Sequence, residues 1–157
     1  MNIQDIKIGE GLGELKFGMT REQVSAILGQ PDDVDQYSDS DLEDDSSESW
    51  HYDELEISLS FDEDADWKLV TIAVSAPRYK LNNIELIGLE GDEMMKVLES
   101  LNLGSHETED WSSEEIPDHK LISFTDSQIN FWVEEGELTE IQWGPLFIDE
   151  ETIKWPN

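Results

Sequence analysis

Gly18-Met19-Thr20-Arg21-Glu22-Gln23-Val24-Ser25-Ala26-Ile27-Leu28-Gly29-Gln30-Pro31 is the stretch on which the fold of this 157-residue chain turns. Thr20 followed three residues later by Gln23 has the form of a capping box. The threonine hydroxyl accepts from the amide of the third helical residue, and the glutamine side chain returns to the cap. Val24, Ile27 and Leu28 then fall on one helical face. Gly29 offers a left-handed exit and Pro31 bars continuation, so the spacing predicts a helix over residues 21–28.

The same register recurs downstream. Gly18 to Leu28 lies without gaps over Gly88-Leu89-Glu90-Gly91-Asp92-Glu93-Met94-Met95-Lys96-Val97-Leu98. Ile57, Leu59 and Phe61 lie over Ile129, Phe131 and Val133, and Leu69 with Ile72 over Leu138 with Ile141, a spacing of about 70 residues. Two readings account for this: a tandem repeat, or two αβ units that align by apolar pattern, since the identities are few.

Strands follow from period-two alternation. Leu55-Glu56-Ile57-Ser58-Leu59-Ser60-Phe61 alternates strictly, Lys68 to Ser75 supplies a second strand, and Asp62 to Asp66 makes an acidic turn between them. Trp50 to Asp53 and Leu121 to Thr125 are expected strands ahead of the two hairpins. The fold class that results is α+β. Two similar units, residues 1–80 and 81–157, each place a short helix on an antiparallel sheet of about four strands. The units are joined through Leu81 to Leu89 and share one core. The face of the sheets away from the helices is left to solvent or to a partner.

Charge narrows the partner. The chain has 39 Asp and Glu against 9 Lys and Arg, a formal net charge of -30. Such a surface excludes phosphate backbones and anionic membranes as partners and favours a basic protein. Between Asp32 and Asp66 sixteen acidic residues occur without a Lys or Arg, and the segment 38–49, rich in Ser, Asp and Glu, is expected to be an acidic loop. It reads either as a solvated hairpin tip or as a partner-binding surface. No stretch reaches the 18 apolar residues of a membrane span, and the start of the chain lacks a basic segment followed by an apolar run. The expected address is therefore cytoplasmic.

The Gly-Met-Thr, Val24, Ile27-Leu28-Gly29, Pro31 run, followed by an aromatic-rich strand and hairpin and given twice, resembles the tandem repeat of the β-lactamase inhibitory protein superfamily. It is also similar to that of small outer-membrane assembly lipoproteins with the same unit. The resemblance covers about residues 15–148. It implies a noncatalytic scaffold whose sheet presents a concave protein-binding face.

Chemistry-bearing motifs are sparse. With no cysteine, thiolate metal sites and cysteine nucleophiles are excluded. His51, His106 and His119 lack the i, i+4 spacing of a helical metal pair and read as structural or surface histidines. Asp62-Glu63-Asp64-Ala65-Asp66 begins like a calcium loop, but Trp67 replaces the turn glycine and Ala73 the bidentate glutamate. No enzyme activity, metal or cofactor is expected. In the second hairpin the alternation sends Trp132 to the nominally wet face. It is there either covered by the C-terminal segment with Trp155 or an interface anchor.

The function expected from these features is a noncatalytic inhibitor, an immunity protein that neutralises a basic, nuclease-type toxin by direct binding. An acidic chaperone-like or assembly module for a basic protein is the alternative. Short-range contacts are expected from Asp62, Asp64 and Asp66 at the first hairpin tip, and from Trp132, Glu134 and Glu135 at the second. Long-range steering is expected from Asp39, Asp41, Asp44 and Asp45.

Overall fold

The structure is a computed structural model that describes residues 4–38, 46–115, 117–148 and 152–155. A three-strand ribbon opens the chain: β1 (Asp5–Lys7), β2 (Gly11–Leu12) and β3 (Leu15–Lys16). Helix α1 (Arg21–Leu28) is followed by β4 (Asp33–Ser38), β5 (Ser46–Tyr52), β6 (Ile57–Asp62) and β7 (Lys68–Val74). The short strands β8 (Lys80–Leu81) and β9 (Ile84–Glu85) lead to α2 (Gly91–Ser100), then β10 (Glu107–Asp110), β11 (His119–Phe124), β12 (Ile129–Glu134) and β13 (Glu137–Trp143). A ribbon of β14 (Leu146–Phe147) and β15 (Ile153–Lys154) ends the described chain.

Helix α1 forms as its capping residues dictate. Thr20 Oγ1 accepts from the Gln23 amide at 3.2 Å and Gln23 Oε1 from the Thr20 amide at 2.9 Å. Its exit differs slightly from expectation: Gly29 combines φ 84° with ψ -165°, positive φ but extended ψ. Helix α2 has no side-chain cap. Its Gly91 amide instead donates to the Gly136 carbonyl at 3.1 Å, fastening the helix start to the β12–β13 turn. Strand β6 begins two residues later than the alternation predicts, because Glu56 takes φ 56° in the preceding turn. Both ends of the segment expected as an acidic loop are strand: Ser38 belongs to β4 and Ser46 to Ser49 to β5, and Glu48 is buried.

The fold is α+β, with antiparallel pairing dominant, and its sheets differ from two separate four-stranded ones. Strands β4 to β7 and β10 to β13 merge into one eight-stranded sheet, in the order β10-β11-β12-β13-β7-β6-β5-β4. The seam is the antiparallel pairing of Ile141, Gln142 and Trp143 with Val74, Ala73 and Ile72. A smaller sheet, β3-β2-β1-β8-β9, joins the opening ribbon to the connection between the halves.

One face of the eight-stranded sheet is dry. Leu59, Phe61, Ile72, Phe131, Ile141 and Trp143 on that face are buried, and they share a core with Val24 of α1, Met94 and Leu98 of α2, and Leu12 and Leu15 of the opening ribbon. Trp143 Nε1 donates to the Gly11 carbonyl at 3.1 Å, tying sheet to ribbon across the core. Gly11 is required there: at φ 149° a Cβ would stand 2.0 Å from the Leu15 carbonyl oxygen.

Helix α1 is tied to the same face by two polar contacts. The Tyr52 hydroxyl donates to the Gly29 carbonyl at 2.9 Å, and burial, then the charge of Asp32, pushes its pKa up to about 12. Glu48 accepts from the Trp50 indole, from Arg21 at 3.2 Å and from Gln36 at 3.3 Å. Glu48→Ala strands the Trp50 N–H in a buried site, so stability is expected to fall by about 1–3 kcal/mol. Glu48→Gln, whose amide oxygen still accepts from Trp50, falls by less. Thermal unfolding of the two variants checks the ranking.

Candidate functional site

Residues paired across an antiparallel ladder share a face, so the register maps the sheet's open side. On the β4–β7 half it carries Asp35, Ser49, Ser60 and Thr71 in one row and Asp33, His51, Ser58 and Ala73 in the next. On the other half it carries Glu107, Ser123 and Asn130, then Glu109, Leu121, Trp132 and Glu140, then His119 and Glu134. Among the described residues of this face, the carboxylates outnumber the one ammonium, that of Lys68.

Aromatic rings gather at one end. Trp132 meets Trp111 edge-on with centroids 5.6 Å apart and lies 5.1 Å from the His119 ring. The Trp132 indole N–H reaches Gln142 Oε1 at 3.4 Å, and the Trp111 indole donates to Glu109 at 3.0 Å. Trp111 remains 52% exposed. Beside Trp132 lies a hollow of about 400 Å³ bounded by Ser75, His119, Glu134, Thr139 and Glu140. Burial of Glu140, then the charge of Glu134, raises the Glu140 carboxyl above its ordinary pKa.

The other half of the face holds a polar chain across three strands. His51 Nδ1 lies 2.9 Å from Ser58 Oγ and Nε2 lies 2.9 Å from Asp35 Oδ2. The order of groups is that of a nucleophilic triad. Ser58, however, sits mid-strand between β5 and β7, where ladder bonding engages the neighbouring amides that would have to stabilise an oxyanion. The geometry locks the imidazole across β4, β5 and β6; it does not arm the serine.

The residues singled out in the sequence divide between the two ends of the sheet. Strands β6 and β13 run in the same direction, so the β6–β7 tip and the β12–β13 tip point opposite ways. Asp62 and Asp66 border a groove of about 780 Å³ at the first tip, shared with Phe147, Ile153 and Trp155 of the C-terminal segment. Asp64 contributes its backbone to the 3-10 turn Glu63–Ala65. Trp132 and Glu134 lie on the open face at the other end, and Glu135 occupies the turn at φ 52°. Asp39, Asp41, Asp44 and Asp45 lie outside the described residues.

Trp155 does not cover Trp132. Its ring packs where a Cβ on Gly18 would lie 3.0 Å away, and Lys68 Nζ lies 5.4 Å from its centroid. Trp111, His119 and Glu140 are the site residues that sequence reasoning missed. Extending the alternation back from Leu121 by one step would have placed His119 on the Trp132 face.

Residues 9–43 match the family model described as the outer membrane protein assembly factor BamE domain. The match takes in β2, β3, α1 and β4, less than a quarter of the chain. It supports the resemblance to small outer-membrane assembly lipoproteins carried by the Gly18-Met19-Thr20 helix. It also corrects the cytoplasmic address, because the matched family is one of outer-membrane assembly. That expectation rested on the start of the sequence and on the lack of an 18-residue apolar stretch, and neither reads a compartment. No curated protein and no solved structure matches the chain. Among the described residues, no helix is long and apolar enough to cross a membrane.

Proposed function

We propose that this chain is a noncatalytic binding module that takes a basic protein on the open face of its eight-stranded sheet. The carrying observation is the composition of that face, where Asp33, Asp35, Glu107, Glu109, Glu134 and Glu140 flank an aromatic cluster while both helices occupy the other side. Complementary potentials steer encounter, and partly desolvated aromatics supply the affinity that exposed carboxylates alone do not.

Inhibitory capture of a basic, nuclease-type toxin is the form of this function that the charge favours, since a broad anionic face copies the potential of a nucleic acid. An assembly role is the second reading, favoured by the match of residues 9–43 to an assembly-factor family. One experiment separates them. The purified chain is offered the basic proteins encoded beside its own gene, and binding and enzyme activity are measured together. A 1:1 complex that silences a neighbour's nuclease activity supports inhibition, and a 1:1 complex without such loss supports assembly. A complex that tolerates Asp35→Lys combined with Glu107→Lys shows that the open face is not the docking surface.

A further inference from the structure

The hollow beside Trp132 has the parts of a receptor for one particular side chain. The Trp132 ring is held by Trp111, His119 and Gln142, so its orientation is set before anything binds. Glu140 stands directly opposite Trp132 in the β12–β13 register, and Glu134 lies on the same face two residues along β12. An indole face beside two carboxylates in a space of about 400 Å³ suits a planar cation, which stacks on the ring while its edge donates to carboxylate oxygens. A lysine ammonium takes the charge contact but not the stacked, forked one. A second copy of this chain, at -30, is repelled.

We propose that this hollow is the socket for an arginine side chain of the basic partner, with the guanidinium against the Trp132 ring and paired to Glu140 and Glu134. The proposal rests on the basic-partner reading and locates its anchor. It carries a pH signature. Burial, then the charge of Glu134, raises the Glu140 pKa in the free protein. A bound cation favours the anion and lowers that pKa, so binding tightens as pH rises through the raised Glu140 range. Glu134 and His119 face Glu140 from the hollow's other strands, and Asp33, His51, Asp53 and Glu56 from the depression on its far side. Protonation of the histidines also repels a cation, so the Glu140 contribution is isolated by comparison with Glu140→Gln.

The test is titration of the full chain with acetyl-Gly-Arg-Gly-amide and its lysine and citrulline counterparts, followed by the indole N–H resonances in nitrogen-15 spectra. Trp132→Phe assigns the reporting signal. The arginine peptide is expected to shift the Trp132 resonance saturably, the lysine peptide to bind more weakly, and the citrulline peptide to leave it unmoved. Glu140→Gln, which removes a charge that burial disfavours, is expected to fold normally, to weaken arginine binding about tenfold, and to flatten its pH profile. Glu99→Gln on α2 serves as the control and binds as the parent does. An unmoved Trp132 signal, equal binding of the lysine or citrulline peptide, or full binding by Glu140→Gln overturns the socket. If a basic protein partner still binds the open face in that event, the broader function stands and only its anchor is lost.

Discussion

Trp143→Ala is expected to lower stability by about 3–5 kcal/mol, the range for emptying a buried aromatic site, and to bring the melting temperature down by roughly 10 °C or more for a chain of this size. Trp143 is among the largest fully buried side chains, and it lies on the strand that forms the seam between the two halves of the sheet. Its indole N–H also satisfies the Gly11 carbonyl. Trp143→Phe separates the two contributions. It keeps most of the volume and leaves that carbonyl without its donor, so a smaller loss of about 1–3 kcal/mol is expected. Thermal and urea unfolding of both variants measures the split. A Phe variant as damaging as the Ala variant would mean that the hydrogen bond, and not the ring, ties ribbon to sheet.

Capture of a basic partner is expected to respond to salt and to Trp132 through different rate constants. Association is driven by charges spread over the whole surface, and screening shortens from about 10 Å at 0.1 M salt to about 3 Å at 1 M. The association rate should therefore fall at least about tenfold over that range, while dissociation changes less. Neutralising Asp39, Asp41, Asp44 and Asp45 together should slow association. Trp132→Ala should leave association nearly unchanged and raise dissociation about 30-fold or more, as expected for an aromatic anchor worth 2 kcal/mol or above. Stopped-flow or surface-based kinetics against the partner reads both constants. Binding indifferent to salt and to both sets of changes would reduce the acidity to a solubility device.

What could be read from the sequence was local. Helix α1 was legible because Thr20, Gln23, Gly29 and Pro31 punctuate it within a dozen residues, and β6 because its alternation is clean. The strands β4 and β10 were not located. As edge strands they carry polar residues, and Glu107-Thr108-Glu109-Asp110 is exposed throughout, so no apolar period announces it. Alternation says which face of a strand is dry, but not which strands become neighbours. The three-pair seam between β7 and β13 turned two expected sheets into one. The odd placement of Trp132 was visible from the pattern, whereas Trp111 and His119 reach it only because β11 and its neighbour fold back beside β12. Trp155 went elsewhere because the chain end returns to the start of α1.

Both outer strands of the eight-stranded sheet are acidic, Asp33 and Asp35 on β4 and Glu107, Glu109 and Asp110 on β10. Carboxylates in a row along an outer strand repel a further acidic strand, including one from another copy of the same chain. Both ends of the sheet are thereby set against pairing with their own kind, which guards a β-rich protein against polymerising through its edges.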